Sequence, residues 1–172
     1  MKIGMRRRKK ENPNTLIALC EIGLSPEDSG RYERIFKAIR KKSKRQFPRY
    51  EVRFFKTFEG LQKAICAYNH RQQVVFSNYP RGYIRGKESE PEAGYDITRS
   101  FFAGLLSQYP THLALHVITG APLDKVPDEA IQSLAQHCPI SVIRKSQLGP
   151  DFEQAYVQYV MNALSDINRH VE

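Results

Sequence analysis

The chain has 172 residues, of which 41% are hydrophobic and 26% are charged, and its formal net charge is +9. This length suits one compact domain, and its short apolar runs exclude a membrane-spanning helix, which needs about 20 apolar residues. The three cysteines lie far apart in the sequence, so neither a disulfide framework nor a zinc site is predicted. No apolar segment of signal-peptide length follows the basic N-terminus, and we expect a cytoplasmic protein.

The positive charge is concentrated at one end of the chain. Residues 1–60 hold 17 Lys and Arg against 7 Asp and Glu, whereas residues 61–172 hold 10 against 11. The excess lies in a predicted flexible arm at 1–14 and along a predicted first helix. Such clusters bind phosphates or acidic partners, but they also occur as solvated helix faces. The cations that we assign to a nucleic-acid contact are Arg6, Arg7, Arg8, Lys37, Arg40, Lys41 and Lys44.

After the arm, the sequence alternates five times between a short apolar run and an amphipathic segment. Strands are predicted at 15–22, 50–55, 73–77, 112–119 and 140–144; the second of these contains Glu51 and Arg53 and is less apolar than the others. The amphipathic segments predict helices at 26–46, 58–70, 96–108, 128–137 and 151–168. Right-handed crossovers place such helices on both faces of a parallel sheet. We therefore predict a single α/β domain over residues 15–172.

The ends of the predicted strands carry polar side chains. The first strand ends at Glu21, the third at Ser77 and Asn78, the fourth at Thr119, and the fifth at Lys145. In a doubly wound sheet the carboxyl ends of the central strands meet at one crevice, where ligands bind. A hydroxyl and an ammonium at this edge are suited to a phosphate or a carboxylate.

This order of strand ends resembles the receiver domains of two-component response regulators, over about residues 15–168. The stretches Val117-Ile-Thr-Gly-Ala121 and 142–153 carry most of the resemblance, and 50–64 gives weaker support. The resemblance implies a flavodoxin-like sheet in the order 2-1-3-4-5 and a signalling role with a protein partner. In the family, an aspartate at the end of the third strand accepts a phosphoryl group, which the threonine and the lysine contact.

The chain departs from the family where the chemistry takes place. Ser77 or Asn78 stands in place of the phosphoacceptor aspartate, and Glu21 alone represents the acidic pocket. An acyl phosphate requires a carboxylate, and a divalent metal requires clustered oxygen ligands. We therefore predict a pseudo-receiver without cofactor or metal, in which Lys145 pairs with Glu21. Alternatively, Thr119 and Lys145 are strand-end residues held by loop backbone.

A long loop follows the third predicted strand, from residue 78 to residue 94. Connections of this kind usually have 2–6 residues, so a loop of this length is typical of a functional or a mobile segment. It combines cations with aromatic rings, which suits a nucleotide, a phosphorylated ligand or single-stranded nucleic acid. Neither a G-x-G-x-x-G motif nor a P-loop lysine is present. The residues are Tyr79, Arg81, Tyr83, Arg85 and Lys87.

Three functions follow from these features. The main prediction is a receiver-like regulatory module that is not an enzyme and that contacts a protein through the fourth strand, fourth helix and fifth strand. The apolar candidates on that surface are Leu123, Val126, Ile131 and Tyr156. The first alternative is a nucleic-acid-binding module that uses the arm and the basic first helix. The second is an enzyme acting on a nucleotide or phosphoester through Glu21 and the Tyr/Arg loop at 78–94, although no nucleophile–base pair or metal cluster is recognisable. A homodimer is compatible with all three.

Overall fold

A computed structural model describes residues 15–22, 26–68, 72–78, 113–120 and 138–169, with single positions at 104 and 135–136. Its strands are β1 (Thr15–Cys20), β2 (Tyr50–Phe55), β3 (Gln72–Ser77), β4 (Leu113–Thr119) and β5 (Ile140–Arg144). Its helices are α1 (Pro26–Gln46), α2 (Phe58–Ala67) and α3 (Phe152–Arg169), and a 3-10 turn spans Lys145–Leu148. None of the described helices is long and apolar enough to cross a membrane.

The five strands form one parallel sheet in the order β2-β1-β3-β4-β5. This is the order of flavodoxin-like folds, and it confirms the predicted fold class. The register aligns Cys20 with both Phe55 and Ser77, so β1, β2 and β3 end at the same level. The predicted arm at 1–14 and most of the predicted helices at 96–108 and 128–137 lie outside the described residues.

Helices cover both faces of the sheet, as predicted. Ile17 and Leu19 of β1 lie in the cluster that α1 and α3 cover, whereas Ala18 and Cys20 lie in the cluster that α2 covers. All of these side chains are fully buried. Burial on both faces explains why β1 is a continuous apolar run rather than an alternating one.

The first helix is amphipathic and packs against α3. Its buried side chains recur at helical spacing, from Tyr32 to Ile39. Its exposed residue Arg34 forms an ion pair with Glu153 of α3, with 2.6 Å between Arg34 Nη2 and Glu153 Oε1. It ends before Pro48, because a proline disfavours helical dihedrals in the residue that precedes it. Phe47 closes the last turn by donating its N–H to the Ser43 carbonyl at 2.7 Å.

Two glycines give a matched test of this backbone. Gly149 ends the 3-10 turn with φ 84° and ψ −172°, a region that is essentially restricted to glycine, whereas Gly30 lies exposed within α1. A Cβ at either position would meet no atom within 4 Å, so steric clashes do not contribute. We expect Gly149→Ala to lower the free energy of unfolding by about 1–3 kcal/mol and Gly30→Ala to raise it by about 1 kcal/mol. Urea denaturation measures both, and effects of the same sign would contradict the assigned backbone.

Candidate functional site

Glu21 lies at the carboxyl edge of the sheet, directly after β1. Its N–H donates to the Phe55 carbonyl at 3.2 Å, which extends the pairing of β1 with β2 by one residue. The side chain then falls on the same face as Ile17 and Leu19, since side chains alternate along a strand. That face is covered by α1 and α3, and the residue is 1% exposed.

Two side chains contact the Glu21 carboxyl group, and a third contacts one of these two. Lys145 Nζ lies 3.3 Å from Glu21 Oε2, so the predicted pairing of these two residues is present. Tyr156 of α3 donates its hydroxyl to Glu21 Oε1 at 3.2 Å. Lys145 also donates to the Tyr32 hydroxyl of α1, and its ammonium lies 4.8 Å from the centroid of the Tyr32 ring. We call these four residues the Glu21 network.

Burial controls the proton affinity of this network. It raises the pKa of Glu21 to about 7, although the Lys145 charge and the Tyr156 hydrogen bond act in the opposite direction. Burial likewise raises the pKa of Tyr32 and of Tyr156 well above the ordinary range, so both remain phenols. The Glu21 carboxyl can therefore gain or lose a proton near neutral pH while the two phenols keep theirs.

The residues at the end of β3 are used to tie strands together. Asn78 accepts the Ile22 N–H on Oδ1 at 3.0 Å and donates from Nδ2 to the Ile22 carbonyl at 2.7 Å. Its own N–H donates to the Cys20 carbonyl at 3.1 Å. Ser77 is fully buried and donates its hydroxyl to the Asn78 carbonyl at 2.9 Å. The Asn78 side chain thus holds the ends of β1 and β3 together.

The remaining groups at this edge offer little reactivity. Thr119 is buried at the end of β4 and aligns with Arg144 of β5, so it lies in the row of strand ends, as predicted. Burial raises the pKa of the Cys20 thiol to about 12, which keeps it protonated and unreactive as a nucleophile. Within the described ranges, no group of three or more His, Cys, Asp or Glu is arranged to hold a metal ion.

A polar cluster farther along the sheet was not predicted from the sequence. The Ser141 hydroxyl of β5 lies 2.6 Å from His116 Nδ1 of β4, and the Tyr159 hydroxyl of α3 lies 3.3 Å from the same nitrogen. The His116 ring stacks on Phe76 with centroids 4.6 Å apart, and burial lowers its pKa to about 4. No carboxylate orients this imidazole among the described residues. The contact is therefore an incomplete version of a nucleophile–base–acid arrangement.

The other predicted site residues divide into exposed, buried and undescribed positions. Lys37, Arg40, Lys41 and Lys44 lie exposed on α1. The prediction that Tyr156 belongs to a protein-contact surface is wrong, because its ring is fully buried and its hydroxyl binds Glu21. Outside the described residues lie Arg6, Arg7, Arg8, Tyr79, Arg81, Tyr83, Arg85, Lys87, Leu123, Val126 and Ile131.

Comparisons with known proteins give little beyond this geometry. No protein-family model matches the chain, and no curated protein matches it. Among solved structures, the chain is similar to an NADPH-quinone reductase from P. pentosaceus. The identity is 16% and the TM-score is 0.39, and the match covers 85% of this chain and 96% of the other. No activity or cofactor is assigned to this chain from so distant a similarity.

The two buried titratable groups predict opposite pH dependences of stability. The pKa of Glu21 is about 7 in the folded protein against an ordinary value of 4.5, so between these values the unfolded chain loses the proton first. Its contribution to stability therefore falls as pH rises from 4.5 to 7 and is constant above. For His116, with a folded pKa of about 4 against 6.5, the contribution is present above pH 6.5 and is lost as pH falls to 4.

Single variants separate the two groups. Relative to Glu21→Gln, we expect the parent chain to lose about 3 kcal/mol of stability across the Glu21 window, and relative to His116→Gln to gain about 3 kcal/mol across the His116 window. Urea denaturation at a series of pH values measures both differences. A Glu21→Gln curve parallel to that of the parent chain would show that this carboxyl group keeps its ordinary pKa.

Proposed function

We propose that this protein is a receiver-like regulatory module that accepts no phosphoryl group and acts through contacts with a protein partner. The observation that carries the proposal is the position of Lys145. Its ammonium lies on Glu21 and on the Tyr32 hydroxyl rather than being left for a ligand. The Glu21 carboxylate thus gives Lys145 an anionic partner from within the chain, whereas the lysine of a receiver obtains its anionic partner by phosphorylation.

The chemistry of the strand ends supports the same proposal. Neither a serine hydroxyl nor an asparagine amide forms the acyl phosphate of a receiver. The Asn78 amide is also occupied at both its donor and its acceptor by Ile22. Glu21, which follows the adjacent strand β1, is held by Lys145 and Tyr156. A crevice of this composition is suited to holding the strand ends in one arrangement.

The two alternative functions have weaker support. Nucleic-acid binding by the arm and α1 rests on charge, and exposed cations also occur on solvated helix faces. An enzyme acting through Glu21 would need that carboxyl group to reach a substrate, but the side chain is fully buried beneath α1 and α3. The phosphoester or nucleotide activity therefore has no accessible acid or base at this position.

Phosphoryl transfer from a small-molecule donor tests the proposal. We expect incubation with acetyl phosphate and Mg²⁺, followed by intact-mass measurement, to show no added phosphoryl group. A phosphorylatable response-regulator receiver treated in parallel serves as the positive control. A phosphoryl adduct that is stable during the measurement and is removed by hydroxylamine would contradict the proposal, because that lability identifies an acyl phosphate.

A further inference from the structure

A groove runs along the edge of the described sheet, between α1 and β2. Its volume is about 620 Å³, and its walls are formed by residues 33–40 on one side and by the strand residues 51–55 on the other. It lies at the β2 edge of the sheet and borders the Glu21 network, since its lining residue Phe55 accepts the Glu21 N–H. We call it the β2 groove.

The strand that lines the groove has backbone groups available for pairing. β2 is the terminal strand of the described sheet and has β1 as its neighbour on one side. The Phe55 carbonyl points towards β1, since it accepts the Glu21 N–H. Successive residues of a strand direct their N–H and C=O groups to alternate sides, so those of Val52 and Phe54 point away from the sheet. An edge of this kind is a template for a further strand.

The charges around the groove select an acidic occupant. The two acids in its wall are already paired, Glu33 with Lys56 at 3.2 Å and Glu51 with Arg53 at 2.6 Å. Lys37 and Arg40 also line the groove, both are exposed, and neither forms an ion pair within the described part of the chain. A second copy of the same edge would bring these cations against each other, which disfavours self-pairing.

The floor of the groove is apolar and fits alternate side chains of an extended segment. The rings of Phe36 and Phe54 lie with their centroids 3.8 Å apart, and Val52 and Phe54 are half-buried against the α1 side of the sheet. In an added strand, every second side chain would point towards this floor, since side chains alternate between faces. Lys37 and Arg40 would remain within reach of acidic side chains beside it.

We propose that the β2 groove binds an extended acidic segment of a partner protein, which adds to the sheet as a strand beside β2. The inference rests on the proposed function in that it names the chemistry of the protein partner. Main-chain hydrogen bonds to Val52 and Phe54 provide affinity, and Lys37 and Arg40 provide the preference for acidic residues. Nucleic acid is the less favoured occupant, because it has no peptide groups to continue the ladder.

Fluorescence anisotropy with the full chain tests the inference. The probe is a fluorescein-labelled octapeptide of alternating valine and glutamate, which exceeds the length of about 17 Å that five strand residues span. We expect this peptide to bind. A peptide with lysine in place of glutamate, and one N-methylated at alternate residues, should fail to bind, because the first has the wrong charge and the second cannot form the ladder.

Matched charge reversals locate the binding site. We expect Lys37→Glu with Arg40→Glu to weaken binding by about tenfold or more. The control is Lys42→Glu with Arg45→Glu, a pair on the same helix with the same spacing and exposure that does not line the groove, and it should change binding by less than about twofold. Val52→Pro removes an outward N–H that no described strand uses, and it should abolish binding while circular dichroism remains unchanged.

Several outcomes would overturn the inference. The inference fails if the acidic peptide does not bind, or if the two charge-reversal pairs weaken binding equally. It also fails if a second copy of the chain displaces the peptide, or if oligothymidylate binds through Lys37 and Arg40 more tightly than the peptide does. The phosphorylation experiment is independent of all four. A phosphoryl adduct removes the proposed function whatever the peptide does, and an absence of peptide binding removes this inference alone.

Discussion

A carboxyl group that is almost completely excluded from water requires partners, because burying an unpaired charge costs several kcal/mol. Glu21 obtains its partners from the segment after β5, through Lys145, and from α3, through Tyr156. Lys145 in turn donates to the Tyr32 hydroxyl of α1, so the network links both covering helices and the segment after β5 to the end of β1. Because the same group has a pKa of about 7, this arrangement is also sensitive to pH near neutrality.

The Glu21 network occupies the crevice at the carboxyl ends of the strands, where this kind of sheet usually binds ligands. Lys145 is engaged by Glu21 and Asn78 is engaged by Ile22, so these strand-end side chains hold the sheet together. The β2 groove is a suitable surface, since its backbone and its cations Lys37 and Arg40 have no partner strand or ion pair among the described residues. The protein thus combines a flavodoxin-like sheet with a groove at its β2 edge, which we propose as the contact surface.

The sequence was sufficient for the sheet and for part of the network. The bounds of β2 and β5 agree with the predicted strands, although both are half-buried strands at the edges of the described sheet. The contact between Glu21 and Lys145 was predictable because the carboxyl ends of parallel strands meet at one edge. The role of Tyr156 was not, since it depends on the rotation of α3 about its axis. The contact between His116 and Ser141 depends on the register of β4 with β5, which the sequence does not encode locally.

The most direct test of this account is the titration of Glu21 itself. With ¹³C-labelled glutamate, the side-chain carboxyl resonance of this residue, assigned by its absence in Glu21→Gln, can be followed from about pH 4 to about pH 9. The account predicts a midpoint at about 7 and a higher one in Lys145→Met, where the neighbouring positive charge is removed. A midpoint near the ordinary value of 4.5, or one that is unchanged in Lys145→Met, would contradict a buried carboxyl group paired with Lys145.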